Sequence, residues 1–290
     1  LKRYNSSKIG DVIIVIVFLF LIMLCLFPMM NVFSRAMSSP EALIRREVGL
    51  FPVGFNLDAF SIVWSDPAYP RSLGWTAILT VICMALSLTL TVLCAYPFVY
   101  KELKGRKTLN VLLIFTMYFG AGMIPNYLLM RSLGLIDHPL VLILPGSLSI
   151  FNVILMRSFF YGIPDSIRES AEIDGAGPIR VLTSIYLPLS KPALATISLF
   201  YAVGRWNGYG DALIYLRTAR EYDPIQLLLY RIQQGLTAVD AAQLDSSAAI
   251  GLPEAARTAT IVIATVPILL VYPFLQKYFV SGVTLGAIKE

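Results

Sequence analysis

The sequence predicts an all-α polytopic membrane protein with six transmembrane helices, and three observations carry that prediction. Of 290 residues, 57% are hydrophobic and 14% are charged, against about 45–50% and about 25% in an ordinary soluble domain. The mean hydropathy is +0.72. The apolar excess falls in separate blocks, each near the roughly 20 helical residues that a hydrocarbon core of about 30 Å requires, and without the alternation of barrel strands. Backbone polar groups in lipid must be satisfied within the segment, so such blocks are helices. A soluble enzyme, a disordered chain and a disulfide-stapled secreted module are excluded.

The spans fall at about 12–30, 74–99, 109–130, 139–160, 193–215 and 258–279. The first is uncharged, follows Lys2, Arg3 and Lys8, and lacks a small-x-small cleavage site, so it reads as a retained helix. Sidedness follows from the basic residues. With the N-terminus inside, the inner segments are 1–11, 101–108, 161–192 and the tail after Phe279. Lys2, Lys8, Lys101, Lys104, Lys107, Lys191, Lys277 and Lys289, all of the lysines, then lie inside or at the inner boundary. The outer connections mix Arg35, Arg45, Arg46 and Arg71 with Glu41, Glu47, Asp58 and Asp66. Both termini are placed in the cytoplasm, and the chain reads as one integral domain, 1–290. The net charge of +5 is explained by topology and contact with anionic lipid, with no nucleic-acid partner.

The inner loop 161–192 is long for a connection without a task. Asp165 or Ser166 is expected to cap a short helix, with Glu169 in its first turn and Asp174-Gly175 at its end. Pro178 then opens a second short helix, and Leu187-Pro188 closes it. Two helices meeting at a glycine corner result. Arg168, Glu169 and Glu172 are expected to present charge to water or to a partner.

This loop resembles the signature of the integral permease subunits of bacterial ABC importers. That signature is Glu-Ala-Ala, three residues, Gly, nine residues, Ile, one residue, Leu-Pro. Here it stands as Glu169-Ser170-Ala171, Gly175, Ile185 and Leu187-Pro188, with serine for the first alanine the one departure. Asp174 and Ala176 match the Asp-Gly-Ala form found in carbohydrate permeases. The resemblance implies coupling helices seated in a cleft of a cytoplasmic ATPase, with Glu169 pairing with a basic group there, Ala171 allowing close approach and Gly175 making the corner. It covers most of the chain and is nearest the smaller maltose-type permease. The tail 280–290, with Ser281, Gly282, Thr284 and Gly286, is similar to that subunit's glycine-containing tail, which reaches toward the ATPase. The runs 187–192 and 202–207 look like the oligosaccharide branch that includes importers of uronate-containing glycans such as alginate.

The partners so implied are a homologous second permease in a heterodimer, two ATP-binding cassette subunits, an extracytoplasmic solute-binding protein, an oligosaccharide and membrane lipid. No cofactor is expected in this chain, ATP and magnesium belonging to the ATPase. The location implied is the bacterial inner membrane.

The fifth span contains Arg205-Trp206-Asn207-Gly208-Tyr209-Gly210-Asp211. With a helix starting near Ala193, Arg205 lies about 18 Å along it, still inside the hydrocarbon. A buried guanidinium there costs at least about 2.5 kcal/mol, so it must face a watery cavity or a partner such as Asp211. Trp206 and Tyr209 offer flat faces and polar tips suited to pyranose rings, and Arg205 suits an anionic sugar. Two readings stay open: Arg205, Trp206, Asn207, Tyr209 and Asp211 line a substrate path, or Arg205 and Asp211 form a structural pair within an aromatic belt.

Catalytic readings fail on residue type. Gly208-x-Gly210-Asp211 fits the intramembrane aspartyl protease pattern, but the required second membrane aspartate is missing, Tyr222-Asp223 falling in an outer loop. There is no Gly-x₄-Gly-Lys-Ser/Thr phosphate loop. His138 has no His-x₃-His partner, and Cys25, Cys83 and Cys94 form no C-x-x-C pair, so no metal site is expected. The alternative from another class, an ion-gradient-driven secondary transporter, calls for intramembrane acids and an inverted repeat. Asp211 is the one acid deep in a span. The outer connection 216–257 is expected to hold a short helix after Pro224.

Overall fold

The computed structural model describes residues 8–242 and 254–270, and all regular structure among them is helical. The tail 280–290, Lys277 and the end of the expected sixth span lie outside the described residues. Among the described residues, two helices are long and apolar enough to cross a membrane. The first, α1 (Lys8–Ala36), contains the apolar run Gly10–Ala36, within which an 18-residue stretch reaches mean hydropathy 3.3. The second, α4 (Ala68–Ala95), continues through a 3₁₀ turn to Val99 and contains an 18-residue stretch of mean hydropathy 2.4. A third crossing is available if α5 (Arg106–Tyr118) and α6 (Met123–Ser132), bent by 108° at Phe119–Gly122, act as one.

The expected fourth and fifth spans are not single rods. Residues 139–160 begin as a 3₁₀ turn (Pro139–Leu142), pass through irregular backbone and become α7 (Ile150–Tyr161), started by Ser149, whose Oγ accepts the Asn152 N–H at 3.4 Å. Residues 193–215 are split between α11 (Lys191–Asn207) and α12 (Gly210–Tyr215). Between α7 and α11 come α8 (Asp165–Ile173), α9 (Pro178–Val181) and α10 (Leu187–Leu189). The helix after Pro224, α13 (Ile225–Ala242), has 18 residues and is longer than expected.

The chain divides into two compact units, Leu1–Pro70 with Leu229–Val266 and Arg71–Leu228 with Pro267–Glu290. In the first, α2 (Pro40–Ile44) starts at Ser39, which accepts the Ala42 N–H, with Pro40 at the first helical position. The helix over 254–270 packs on α1 and α3 (Asp58–Ser65) through Val63 and through Ala36, Ala59, Ala255 and Ala259, small residues that let backbones approach. Arg35 pairs there with Glu254. The α1 side chains from Val12 to Met30 are exposed, as a lipid-facing surface would be.

In the second unit α4 buries a stripe of small and polar residues, Ser72, Thr76, Cys83, Ser87 and Thr91. Thr76 Oγ1 accepts the Ile225 N–H at 2.8 Å and so holds the start of α13. The main core of this unit gathers Tyr96 and Val99 at the end of α4, Met156 and Phe160 of α7, and Val181, Leu182 and Tyr186 after the corner.

Candidate functional site

The corner begins where Pro164, and neither Asp165 nor Ser166, takes the N-cap of α8, without a side-chain cap hydrogen bond. Asp165 is instead the first helical residue, and its carboxylate reaches Lys101 Nζ at 2.7 Å. At the other end, Gly175 adopts φ +82°, a left-handed conformation that glycine enters without strain. The Gly175 N–H donates to Glu172 O at 3.0 Å and the Ala176 N–H to Ala171 O at 2.9 Å. These are the paired bonds of a Schellman stop, which satisfies carbonyls that the helix end would leave bare. Pro178 follows at the first position of α9, where its missing N–H costs nothing.

Leu187-Pro188 does not close the second helix. The backbone widens into a π-helical turn over Leu182–Tyr186, continues through α10 and stops at Ser190, whose N–H reaches Tyr186 O at 3.0 Å. A proline lacks the N–H for the regular ladder, and a π turn is where a helix absorbs that mismatch.

Three aromatic rings fix this element. Tyr186 lies 5.4 Å from Tyr96 and 5.3 Å from Phe160, near-perpendicular to both, and Tyr96 meets Phe160 at 6.3 Å. The Tyr96 hydroxyl donates to Pro178 O at 2.9 Å. Ile185, Leu187, Ala171 and Ala176 pack partly buried on the same core. Arg168 corrects the expectation of a solvated face: it is 8% exposed, its guanidinium 3.1 Å from Glu172 and 5.1 Å from the centre of the Tyr100 ring. Burial is the largest single influence and works against its charge, but the Glu172 hydrogen bond and the nearby negative charge of Glu172 together outweigh it and raise its pKa. Glu169 remains largely exposed, 3.6 Å from Arg168. Ser170, Asp174 and Pro188 are exposed as well. The tip carries two bare aliphatic side chains, Ile173 at 86% and Ile179 at 78% exposure.

The second feature is a cavity of about 580 Å³ at the helix breaks. Its wall includes the irregular stretch around Pro145-Gly146, the start of α7 with Asn152, and Arg205, Gly208 and Asp211. Irregular backbone at membrane depth is tolerated where it lines a cavity. Arg205 donates to Leu142 O and lies 3.4 Å from Asp211 Oδ2. Its Nε is buried and has no hydrogen-bond partner among the described residues. A side chain at Gly208 would come within 3.2 Å of that guanidinium, which explains glycine at the break. Of the five residues proposed for a path, Arg205 and Asp211 meet at the cavity. Trp206 is buried, Asn207 donates to its own helix at Val203 O, and Tyr209 is exposed; none of these three lines it. Tyr201 does: its hydroxyl takes the Ser149 N–H at 3.1 Å and is 2.7 Å from Thr91 Oγ1. The sequence signal for it was the polar stripe of α4, repeating near every fourth residue.

Outside both features, Asp137 at φ +57° accepts the N–H groups of Thr218 at 2.7 Å and of Ala219 at 3.3 Å, as well as that of Arg217. These backbone hydrogen bonds, that of Thr218 foremost, hold its carboxyl below the usual range.

Comparison with known proteins agrees with the signature. The chain is 39% identical over 285 residues to the polygalacturonan/rhamnogalacturonan transport system permease protein YtcP of Bacillus subtilis (strain 168), covering 98% of this chain and 99% of that one. It is 41% identical over 264 residues to protein LplC of the same organism, covering 90% and 88%. Among solved structures it matches a chain of a bacterial ABC transporter involved in the import of the acidic polysaccharide alginate, with TM-score 0.84 and 34% identity over 96% of this chain and 99% of that one. The family model for the binding-protein-dependent transport system inner membrane component matches residues 13–285, so the chain belongs to that family of transporter permeases.

Proposed function

We propose that the protein is a permease subunit of a carbohydrate ABC importer, and that the Gly175 corner is where motion of a cytoplasmic ATPase enters it. The observation that carries this is the corner's two-sided construction. Its inner side is fixed by Tyr96, Phe160 and Tyr186, while its tip offers Ile173 and Ile179 bare. A stiff element with an apolar tip suits a partner's cleft, and a rigid body displaced there moves the helices attached to it. Glu169, Ser170 and Asp174 add polar contacts at the same face. On this reading six spans cross the inner membrane with both termini in the cytoplasm, the third formed by α5 and α6 and the fifth by α11 and α12. The family match across 13–285 supports treating the whole chain as one permease domain.

The substrate we propose is an oligosaccharide that contains uronate. The transporters of two similar proteins carry acidic glycans, polygalacturonan in one and alginate in the other. The Arg205 cavity suits such a ligand, since a guanidinium with an open Nε and the positive N-terminal end of α7 both favour an anion. A solute-binding protein would deliver it, a second permease would complete the path, and ATP with magnesium would act on two ATPase subunits. The test is reconstitution with the ATPase. Hydrolysis stimulated by a binding protein loaded with an oligouronate is expected, whereas uptake driven by a proton gradient without any ATPase would overturn the proposal.

A further inference from the structure

A second charged cavity, of about 700 Å³, opens at the start of α5, and its wall includes Lys101, Arg106, Lys107, Asn110, Arg157 and Tyr161. Arg106 donates to the Tyr161 hydroxyl at 2.7 Å, and Arg157 donates to Asn110 Oδ1. Their guanidinium carbons lie 5.5 and 5.8 Å from the centre of the same Tyr161 ring. Two like charges are thus gathered on one tyrosine with Lys107 beside them. Lys101 is paired with Asp165, but among the described residues no ion pair engages Arg106, Lys107 or Arg157. Gathered cations without a carboxylate make a site for an anion.

The neighbouring surface says which anion. No residue of α5 is buried, and Val111, Leu112 and Phe115 are 53–66% exposed directly after the basic turn. The 13 residues of α5 run about 20 Å, more than the roughly 15 Å of hydrocarbon in one leaflet. A ligand matching both parts has an anionic head and apolar chains. We infer that this cavity binds the headgroup of an anionic phospholipid whose acyl chains lie along α5. The inference rests on the proposed sidedness for naming the inner leaflet. An adjoining cavity shares Lys101, Arg106 and Tyr161 and extends over Gly162, Pro164 and Asp165, the entry to α8. A bound headgroup therefore touches the joint through which the corner is attached to α7.

The test uses the assembled transporter in nanodiscs of phosphatidylcholine with and without cardiolipin, with retained cardiolipin counted by native mass spectrometry. Arg106→Gln with Lys107→Gln should reduce retention roughly 30-fold, about 5-fold per charge removed. Lys104→Gln removes one charge from the same turn but outside the cavity wall, and should retain wild-type cardiolipin where a loss of about 5-fold would follow from charge alone. Equal losses in both variants, or none in the double variant, would overturn the site. Displacement of cardiolipin by inorganic phosphate at matched charge would reassign it to a free anion. A photocrosslinker at Lys107 that captures the ATPase in place of lipid would also overturn it. Labelling of Lys104→Cys by a membrane-impermeant maleimide from outside intact cells would break the sidedness, a failure separate from that of the lipid site.

Discussion

At the Gly175 corner the helix end is closed by its own backbone, the aromatic rings of Tyr96, Phe160 and Tyr186 meet edge to face, and Arg168 is matched by Glu172. At the Arg205 cavity two helices are broken, a guanidinium nitrogen lacks a partner, and open space adjoins polar groups. The first region is packed shut, with its unmet polar atoms, the Tyr186 hydroxyl and Arg168 Nε, sealed in the core, and turns aliphatic tips outward; the second holds its unmet polar atom beside open space. That contrast separates an element built to move as a rigid body from one built to meet a changing polar ligand.

The largest effect is expected from Gly175→Pro. Proline fixes φ near −65°, which cannot match φ +82°, and it removes the N–H that closes α8 on Glu172. Transport should be abolished while affinity for the loaded binding protein is retained; unchanged uptake would break the rigid-corner assignment. Next is Tyr186→Ala, which deletes a fully buried ring at the π turn and should cost about 3 kcal/mol. A lowered Tm of the assembled transporter measures it, and ATP hydrolysis uncoupled from uptake should accompany it.

Arg205→Gln is expected to be milder and selective. Loss of one charge-assisted hydrogen bond to the ligand, about 1.5 kcal/mol, should lower uptake of an oligouronate about 10-fold, with only a modest fall in thermal stability from the lost Leu142 and Asp211 contacts. A large fall in Tm with equal loss for neutral and acidic sugars would instead make Arg205–Asp211 a structural pair. The smallest effect belongs to Asp165→Asn. The Lys101 hydrogen bond holds the Asp165 carboxyl below its usual range, and Asp165 raises Lys101 in turn. A depressed acid contributes stability above its unfolded pKa and loses it as pH falls through the folded one, while a raised lysine loses its share only as pH climbs through its elevated value. The pair is therefore intact at neutral pH and fails first in acid. Tm measured across acidic pH should fall less steeply in Asp165→Asn than in wild type, and identical slopes would remove Asp165 from that titration.

How much of this was legible in the sequence depended on whether a feature is local. The corner is: Gly175 and Pro178 act within a turn, and their conformations follow from residue type alone. Arg168 was misjudged because its burial comes from Tyr100, 68 positions away, and no periodicity within α8 records that ring. Tyr186, between Ile185 and Leu187, carries no local signal, because only the π turn directs it into the core. Hydropathy found α1 and α4, whose regular ladders suit uniform apolar blocks. It gave no sign of the breaks at 143–149 and 208–209, since glycine and proline in an apolar block fit a bend and a break equally. The Arg205–Asp211 contact was readable from spacing, but the cavity shared with Asn152 and Tyr201 needed the third dimension.

Photocrosslinking from positions 173 and 179 in the assembled transporter asks whether the tip beyond Gly175 seats in a partner ATPase. Capture of the ATPase subunit is expected at both positions, changing in yield between nucleotide-free and ATP-bound states, with no capture from Tyr186. Crosslinks to lipid alone, or an ATPase captured equally from the exposed side of α5, would contradict it.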